Sequence, residues 1–467
     1  TRQTHFAYFL ALAEQSWDVT LIGPRLSTWL NRIALEYDNL RVAFAWACQQ
    51  ADGGEGALRL AGTLGMFWGI RGEFREGIHW FEAALARDQG GFPAARALVL
   101  ARLVDLGGQV GQLRPGLLEE AFALFSAAHL PMGVGYCLRL LGIAALQALA
   151  YEQAIATLEQ GVQLYRELAY PLGIGIALWN LGDAYRANGQ TAPARACYEE
   201  CIAIGRQYSE RLLMCRPLVM LTFIDCQRAL DLCQAELQRP QPDLETQAAL
   251  LHTCGRILED HGRFAEAKTY LTEALGLWHK LGIKWSVSGG ITRALLDLGL
   301  ICFWTEDDVA SARYMTEGQQ HYADVGDWHG VAWTQVILGN VALRQQQLQA
   351  ACTYFQASLR HSTDIGMNYL SLSLCGIAQT LVALGEERAA YHLFGATTQF
   401  EDKLFALDVP ARGVFVQALA DARQHLTEPS LAAAWAAGQA MSVEQAVAYA
   451  LEQPVGNLTT LTAQVSV

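Results

Sequence analysis

Apolar residues recur at helical spacing along almost the whole chain. Over residues 29–48, Leu30, Ile33, Tyr37, Leu40, Phe44 and Ala47 fall on one face at three- and four-residue steps, which predicts one amphipathic packing helix. Long stretches carry neither a Pro nor an Asn-Gly or Asp-Gly hairpin signal, and no run alternates convincingly as a strand. After Gly385 the spacing predicts helices at about 387–404, 410–426 (opened by Pro410), 429–438 and 442–452, with Ser442 and Gln445 set to form a capping box on the last.

A longer period lies over the short one. Trp179-Asn180-Leu181-Gly182-Asp183-Ala184-Tyr185 is followed by Ala194, Tyr198 and Cys201. The same order of Gly, small or aromatic, Ala, large apolar and small residues recurs from Gly142, Gly255 and Gly339, and more weakly from Gly65, Gly107, Gly299 and Gly376. Gly and Ala remove bulk where two antiparallel helices cross, and the Trp, Leu, Tyr and Phe positions fill the spaces between neighbouring pairs. Gly107 and Gly142 stand 35 apart, whereas Gly182 and Gly255 stand 73 apart, which leaves room for a degenerate pair between about Arg211 and Leu237. Gly189, Gly262 and Gly385 are placed to end helices in left-handed caps, and Gln238-Arg239-Pro240-Gln241-Pro242-Asp243 is an internal linker that its prolines keep from being helical.

The fold expected is all-α, a tetratricopeptide-like right-handed superhelix of antiparallel helix pairs with capping helices at both ends. Its divisions are residues 1–50 (packing helices), 51–400 (eight or nine helix pairs), 401–452 (a C-terminal helical cap) and 453–467 (a flexible tail). Opening on Thr1, the chain is expected to be a fragment of a longer one.

Composition narrows the function. Asp and Glu (46) outnumber Lys and Arg (33), and a net charge of −13 repels phosphate backbones, so direct nucleic-acid binding is not expected. Eleven cysteines without paired spacing fit reduced thiols in a cytoplasmic protein, with Cys197 and Cys201 as small core residues. No apolar run predicts a membrane span.

Several segments resemble a known family. Trp29-Leu-Asn-Arg-Ile-Ala-Leu-Glu36-Tyr-Asp38-Asn39-Leu40-Arg41, Leu58-Arg-Leu-Ala-Gly62 with Phe67-Trp68, Gly77-Ile-His-Trp80-Phe-Glu-Ala-Ala-Leu85, and Leu393-Phe-Gly-Ala396 with Ala432-Ala-Ala-Trp435-Ala-Ala-Gly438 resemble the tetratricopeptide sensor region of bacterial signal-transducing ATPases. These are transcriptional regulators of the LuxR-like and AfsR-like kind. The resemblance covers about residues 5–452. It implies an ATPase upstream, in some members a helix-turn-helix beyond the tail, and a sensor and oligomerisation role for this chain, with self-association among its expected contacts. The chain itself has no Gly-x-x-x-x-Gly-Lys-Ser/Thr phosphate loop, so neither ATP nor any other cofactor is expected.

Such arrays bind on the face lined by the first helix of each pair. Counted from the repeat glycines, that face takes Tyr136, Arg139, Trp179, Asp183, Arg186, His252, Arg256, Glu259, Arg293, Trp333, Asn340 and Arg344, arginines and aromatics suited to a protein or peptide partner or a small-molecule inducer. Trp179 suits the inter-repeat core equally, and Asp183 with Arg186 suits a local ion pair. His252, His261, His321 and His329 fit solvated or capping roles rather than a metal site, and Glu306-Asp307-Asp308 fits a helix start. No catalytic constellation is present. The expected function is a non-catalytic sensor or scaffold module controlling an attached ATPase; the alternative is a constitutive interaction scaffold without small-molecule input.

Overall fold

The computed structural model describes residues 1–15, 22–51, 54–71, 73–109, 114–240, 243–283, 289–324, 327–365, 369–399 and 409–453. Among them every regular element is a helix. The chain divides into two compact units, Thr1–Ala294 and Leu295–Val467. Unit 1 opens with α1 (Arg2–Glu14), α2 (Pro24–Leu35) and α3 (Tyr37–Ala47). Helix pairs follow: α4 (Glu55–Arg71) with α5 (Phe74–Leu85), α6 (Pro93–Gln109) with α7 (Pro115–Ala127), α8 (Pro131–Gln147) with α9 (Tyr151–Glu167), and α10 (Pro171–Ala187) with α11 (Thr191–Tyr208). Next come α12 (Arg211–Leu221) with α13 (Cys226–Leu237) and α14 (Leu244–Asp260) with α15 (Phe264–Leu281). The division falls within α16 (Ile291–Trp304), which leads into α17 (Asp308–Asp324). Unit 2 continues with α18 (Trp328–Arg344) and α19 (Leu348–Ile365), α20 (Leu370–Ala383) and α21 (Glu387–Thr397), then α22 (Val409–Gln424), α23 (Pro429–Gln439) and α24 (Val443–Glu452).

The fold is all-α and tetratricopeptide-like. Within unit 1 the first helix of each pair lies beside its partner and beside the first helix of the next pair, as α8 does with α9 and α10. The degenerate pair between Arg211 and Leu237 is present as α12 and α13, shortened to 11 and 12 residues, with Pro217 inside α12.

The turns show why the repeat is regular. At the end of α10 the Gly189 N–H bonds the Arg186 carbonyl (3.0 Å) and the Gln190 N–H reaches back to Tyr185 (2.8 Å), with Gly189 at φ +74°. Gly262 and Gly385 adopt the same left-handed conformation. So do Leu149, Glu306 and Gln346, which carry side chains; the hydrogen bonds from Ala150, Asp307 and Gln347 to the carbonyl five residues back repeat the motif.

Two expectations need correction. Residues 29–48 are not one helix: α2 and α3 diverge at Glu36 (φ −99°, ψ 11°). The apolar face is real, with Leu30, Ile33, Leu40, Phe44 and Ala47 buried. Its halves serve different neighbours: Phe44 stacks on Trp80 (4.2 Å) and Tyr37 accepts a hydrogen bond from Trp68 Nε1 (2.6 Å), while α2 turns elsewhere. The helix predicted to 404 ends at Thr397, where the hydroxyls of Thr397 and Thr398 turn back to the Phe394 and Gly395 carbonyls (2.7 Å each). The rest of that stretch from 400 to 404, linker residues 241–242 and tail residues 454–467 lie outside the described residues. The capping box is formed: Gln445 N–H donates to Ser442 Oγ (3.2 Å), and Ser442 N–H donates to Gln445 Oε1 (2.8 Å).

Candidate partner-binding face

Unit 1 gathers its polar chemistry on the first helices of successive pairs. The Tyr136 ring carries the Arg102 guanidinium at 4.5 Å and that of Arg139 at 5.0 Å from its centroid. Arg102 Nη1 donates to the Tyr136 hydroxyl (3.1 Å), that hydroxyl donates to Asp105, and Arg139 Nη2 pairs with Asp105 Oδ2 (3.1 Å). Burial pushes the Tyr136 and Tyr165 hydroxyls well above the usual phenol range and raises that of Tyr170, so all three stay neutral. Burial opposes the charge on Arg139, yet Asp105 together with the Tyr136 and Tyr165 hydroxyls outweighs it and the guanidinium is held more firmly protonated than usual. Arg139 pairs directly with the Asp105 carboxylate, Arg102 reaches it only through the Tyr136 hydroxyl, and the buried Nε of Arg102 has no hydrogen-bond partner.

Arg102 and Asp105 do not emerge from the weak repeat when it is set on Gly107. Setting it on Gly108 puts Arg102 and Asp105 at the offsets of Tyr136 and Arg139, and each contacting pair is separated by 34 residues, one tetratricopeptide period.

One pair further on, Trp179 is half-buried with the Arg216 guanidinium 5.2 Å from its ring centroid, and Arg186 lies 5.2 Å from the Phe223 ring. Asp183 faces inward, accepting from Tyr198 Oη (2.6 Å) with Arg186 at 3.9 Å. Burial raises the Asp183 carboxyl, and the Tyr198 hydrogen bond only partly opposes this. Arg216 and Phe223 belong to the degenerate pair, where no repeat glycine marks the offset.

The remaining predicted residues divide by exposure. His252 is buried, not solvated, packed beneath Gly289, because its offset from Gly255 turns it into the core. Arg256 pairs with Asp260 (3.9 Å) along α14 and Glu259 is half-buried beside them, while Arg293 is exposed. In unit 2, Trp333 is buried and stacked on Tyr369 (5.1 Å, 23°), and Asn340 Nδ2 donates back to the Val336 carbonyl within α18 (2.8 Å). Arg344 is committed to packing: both terminal nitrogens donate to the Phe303 carbonyl (3.1 Å), its guanidinium sits 4.1 Å from the Phe303 centroid, and it pairs with Asp308. The acidic start of α17 thus accepts Arg344 through Asp308, while Asp307 Oδ1 caps the Ala310 N–H (3.1 Å). His261 Nδ1 meets the Ile257 carbonyl (3.0 Å) at the end of α14.

Among the described residues no group of three or more His, Cys, Asp or Glu side chains could hold a metal ion. Burial pushes the Cys197 thiol up to about 11 and Cys215 to about 12, which keeps both protonated and unreactive. No helix of the described residues is long and apolar enough to cross a membrane. An open hollow of about 660 Å³ between α1, α3 and α4, edged by Phe6, Leu10, Trp46 and Arg59, contains none of the predicted residues.

The pair that holds Trp179, Asp183 and Arg186 is where sequence comparison succeeds. Residues 176–207 match the tetratricopeptide repeat. The tetratricopeptide repeat is a protein-interaction scaffold, and α10 with α11 is one unit of it. No curated protein matches the chain. Among solved structures, a signal-transduction ATPase with numerous domains and a tetratricopeptide repeat sensor from Pyrococcus horikoshii is similar over 84% of this chain and 55% of its own, at 15% identity and TM-score 0.42. A Rap protein complexed with competence and sporulation factor is similar over 74% and 98%, at 12% identity and TM-score 0.42. The apo quorum sensor NprR from B. thuringiensis is similar over 71% and 96%, at 12% identity and TM-score 0.35. The chain spans about half the length of that ATPase. Identities and scores this low transfer no residue roles.

Proposed function

We propose that this chain is a non-catalytic sensor module of a signal-transducing regulator, binding a protein or peptide partner on the first-helix face of unit 1. Tyr136, Arg139, Trp179, Asp183 and Arg186 contribute, joined by Arg102. The observation that carries this reading is the cluster on α6 and α8: two guanidiniums on the Tyr136 ring, Arg139 paired with Asp105 and Arg102 with a buried donor left unused. A buried donor without an acceptor costs about 1–3 kcal/mol, which a partner's carbonyl or carboxylate recovers once the Arg102 side chain swings out to meet it. The flanking rings of Tyr136 and Trp179 give flat, half-buried contact area of the kind that dominates interfaces. Coupling to an attached ATPase belongs to the same proposal and follows from the sequence resemblance.

The test is native mass spectrometry of the chain purified from its own host, repeated with Arg102→Ala and Arg186→Ala. A retained peptide or protein that is lost from both variants supports the reading. A retained species that both variants keep removes the face from consideration.

A further inference from the structure

Helix α2 makes contacts that its place at the start of the chain does not require. The Gly23 N–H donates to Glu210 Oε2 (2.8 Å), 187 residues away, and Arg211 Nη1 donates to Ser27 Oγ (3.1 Å). Glu210 is buried, and its second oxygen accepts the Leu212 N–H (3.1 Å) at the start of α12. At the other end, Arg71 Nη2 donates to Asn31 Oδ1 (3.3 Å).

These partners fix where α2 lies. Arg71 ends α4, the first helix of the first pair, and Arg211 begins α12, the first helix of the fifth. First helices of successive antiparallel pairs run parallel, so the end of one and the start of another lie at opposite edges of the face they form. A segment that touches both bridges the first pair and the fifth, and the rise from Gly23 to Asn31 is about 12 Å at 1.5 Å per residue. Leu26, Trp29, Leu30 and Ile33 of α2 join one continuous apolar core with Leu178 and Leu181 of α10 and Leu213 of α12. The segment Pro24–Leu35 carries Arg25 and Arg32 and no acid, in a chain of net charge −13. It is a basic amphipathic helix that bridges the first and fifth pairs of an acidic array.

Its attachment at the far edge is narrow. Gly23 has φ +60° and ψ −131°, a conformation closed to residues with a side chain, and a Cβ there would enter the Tyr208 carbonyl. From these contacts we infer that α2 is an intramolecular ligand of the first-helix face, latched through Gly23 and Glu210, and that it opens as a unit to expose that face to an amphipathic helix from a partner. The inference rests on the proposed binding face only for its biological use; the opening itself is measured without any partner.

Hydrogen exchange on the full chain tests it. In the unmodified protein, amides of residues 28–35 are expected to exchange on the order of a hundredfold faster than those of α8–α11, as a separate opening. Gly23→Ala is expected to raise exchange in α2 a further tenfold or so and to leave α8–α11 unchanged. A labelled peptide of residues 22–36 then binds Gly23→Ala about tenfold more tightly than the unmodified chain, whose face is already occupied. Equal exchange of α2 and α8–α11 in the unmodified chain overturns the inference, since α2 then opens only when the whole unit does. Equal affinity of the peptide for both proteins overturns it as well.

Discussion

Glycine marks both the repeat crossing of α10 with α11 and the C-terminal crossing of α21 with α23, but it faces different things. A Cβ on Gly182 would meet the Tyr198 ring (2.6 Å), as one on Gly255 would meet the Leu271 side chain and one on Gly339 the Phe355 ring. A Cβ on Gly395 would enter the Trp435 carbonyl, and one on Gly438 the His392 carbonyl. In the repeats a partner's side chain fills the notch; at the C-terminal crossing two backbones occupy it. A side chain can rotate away from an intruding methyl, whereas a backbone moves only with its helix. The C-terminal crossing is therefore the less forgiving of the two.

Gly438→Ala draws that contrast most sharply. Separating α21 from α23 is expected to cost about 3 kcal/mol or more, the upper end for overpacking, read as a fall in the urea midpoint of unit 2. A loss below about 1 kcal/mol would mean that the two helices slide apart freely, and the distinction would collapse. Gly182→Ala comes next, at about 2 kcal/mol. Tyr198 is a stiff ring held by its hydrogen bond to Asp183 (2.6 Å), so it yields less readily than an aliphatic chain. Adding Tyr198→Leu to Gly182→Ala should recover part of the loss; no recovery would show that the notch is not what limits the site.

The glycines were legible in the sequence because each pair repeats the same local problem. What each glycine faces was not legible, since Trp435 and His392 meet Gly395 and Gly438 through helix packing that no spacing rule describes. The turns show the same limit. Gly189, Gly262 and Gly385 announced themselves, while Leu149, Glu306 and Gln346 adopt the same left-handed geometry under cover of ordinary side chains. The candidate face was half legible: Tyr136 and Arg139 came from a clear repeat, and Arg102 and Asp105 were hidden by a one-residue slip between Gly107 and Gly108. The reach of α2 to Glu210 was invisible because it joins residues 187 apart, beyond any periodic signal. Arg344, equivalent in spacing to a face residue, is instead bound to the Phe303 carbonyl, a role that packing decides and spacing does not.

The turn between α8 and α9 offers a smaller test in the opposite direction. Leu149 holds φ +61° with its side chain exposed, where the next pair has Gly189 at +74°. A left-handed non-glycine residue costs about 1–2 kcal/mol, part of which glycine returns to the flexibility of the unfolded chain. Leu149→Gly is thus expected to stabilise unit 1 by roughly 1 kcal/mol. An unchanged or lower midpoint would show that Leu149 packs usefully after all.

Acidification should separate the two crossings by sign, with the smallest effect of the four. At the repeat crossing, burial raises the Asp183 carboxyl above its ordinary value. The folded form then binds a proton more readily than the unfolded chain, so its contribution grows as pH falls from neutral toward the ordinary carboxylate range. At the C-terminal crossing, the carbonyl of His392 lies against Gly438 and its ring lies 5.0 Å from Tyr449. Burial, with Arg388 adding to it, holds that imidazole below its ordinary value of 6.5. Its contribution is present above 6.5 and is lost as pH falls through that value, because the unfolded chain then takes up the proton first. Between neutrality and about pH 5, protection of α10 and α11 amides, corrected for intrinsic exchange, should hold or rise while that of α21 and α23 falls. Asp183→Asn should remove the first trend and His392→Gln the second. If both crossings lost protection together, burial at Asp183 would be too slight to set its proton affinity, and the two regions would differ in packing alone.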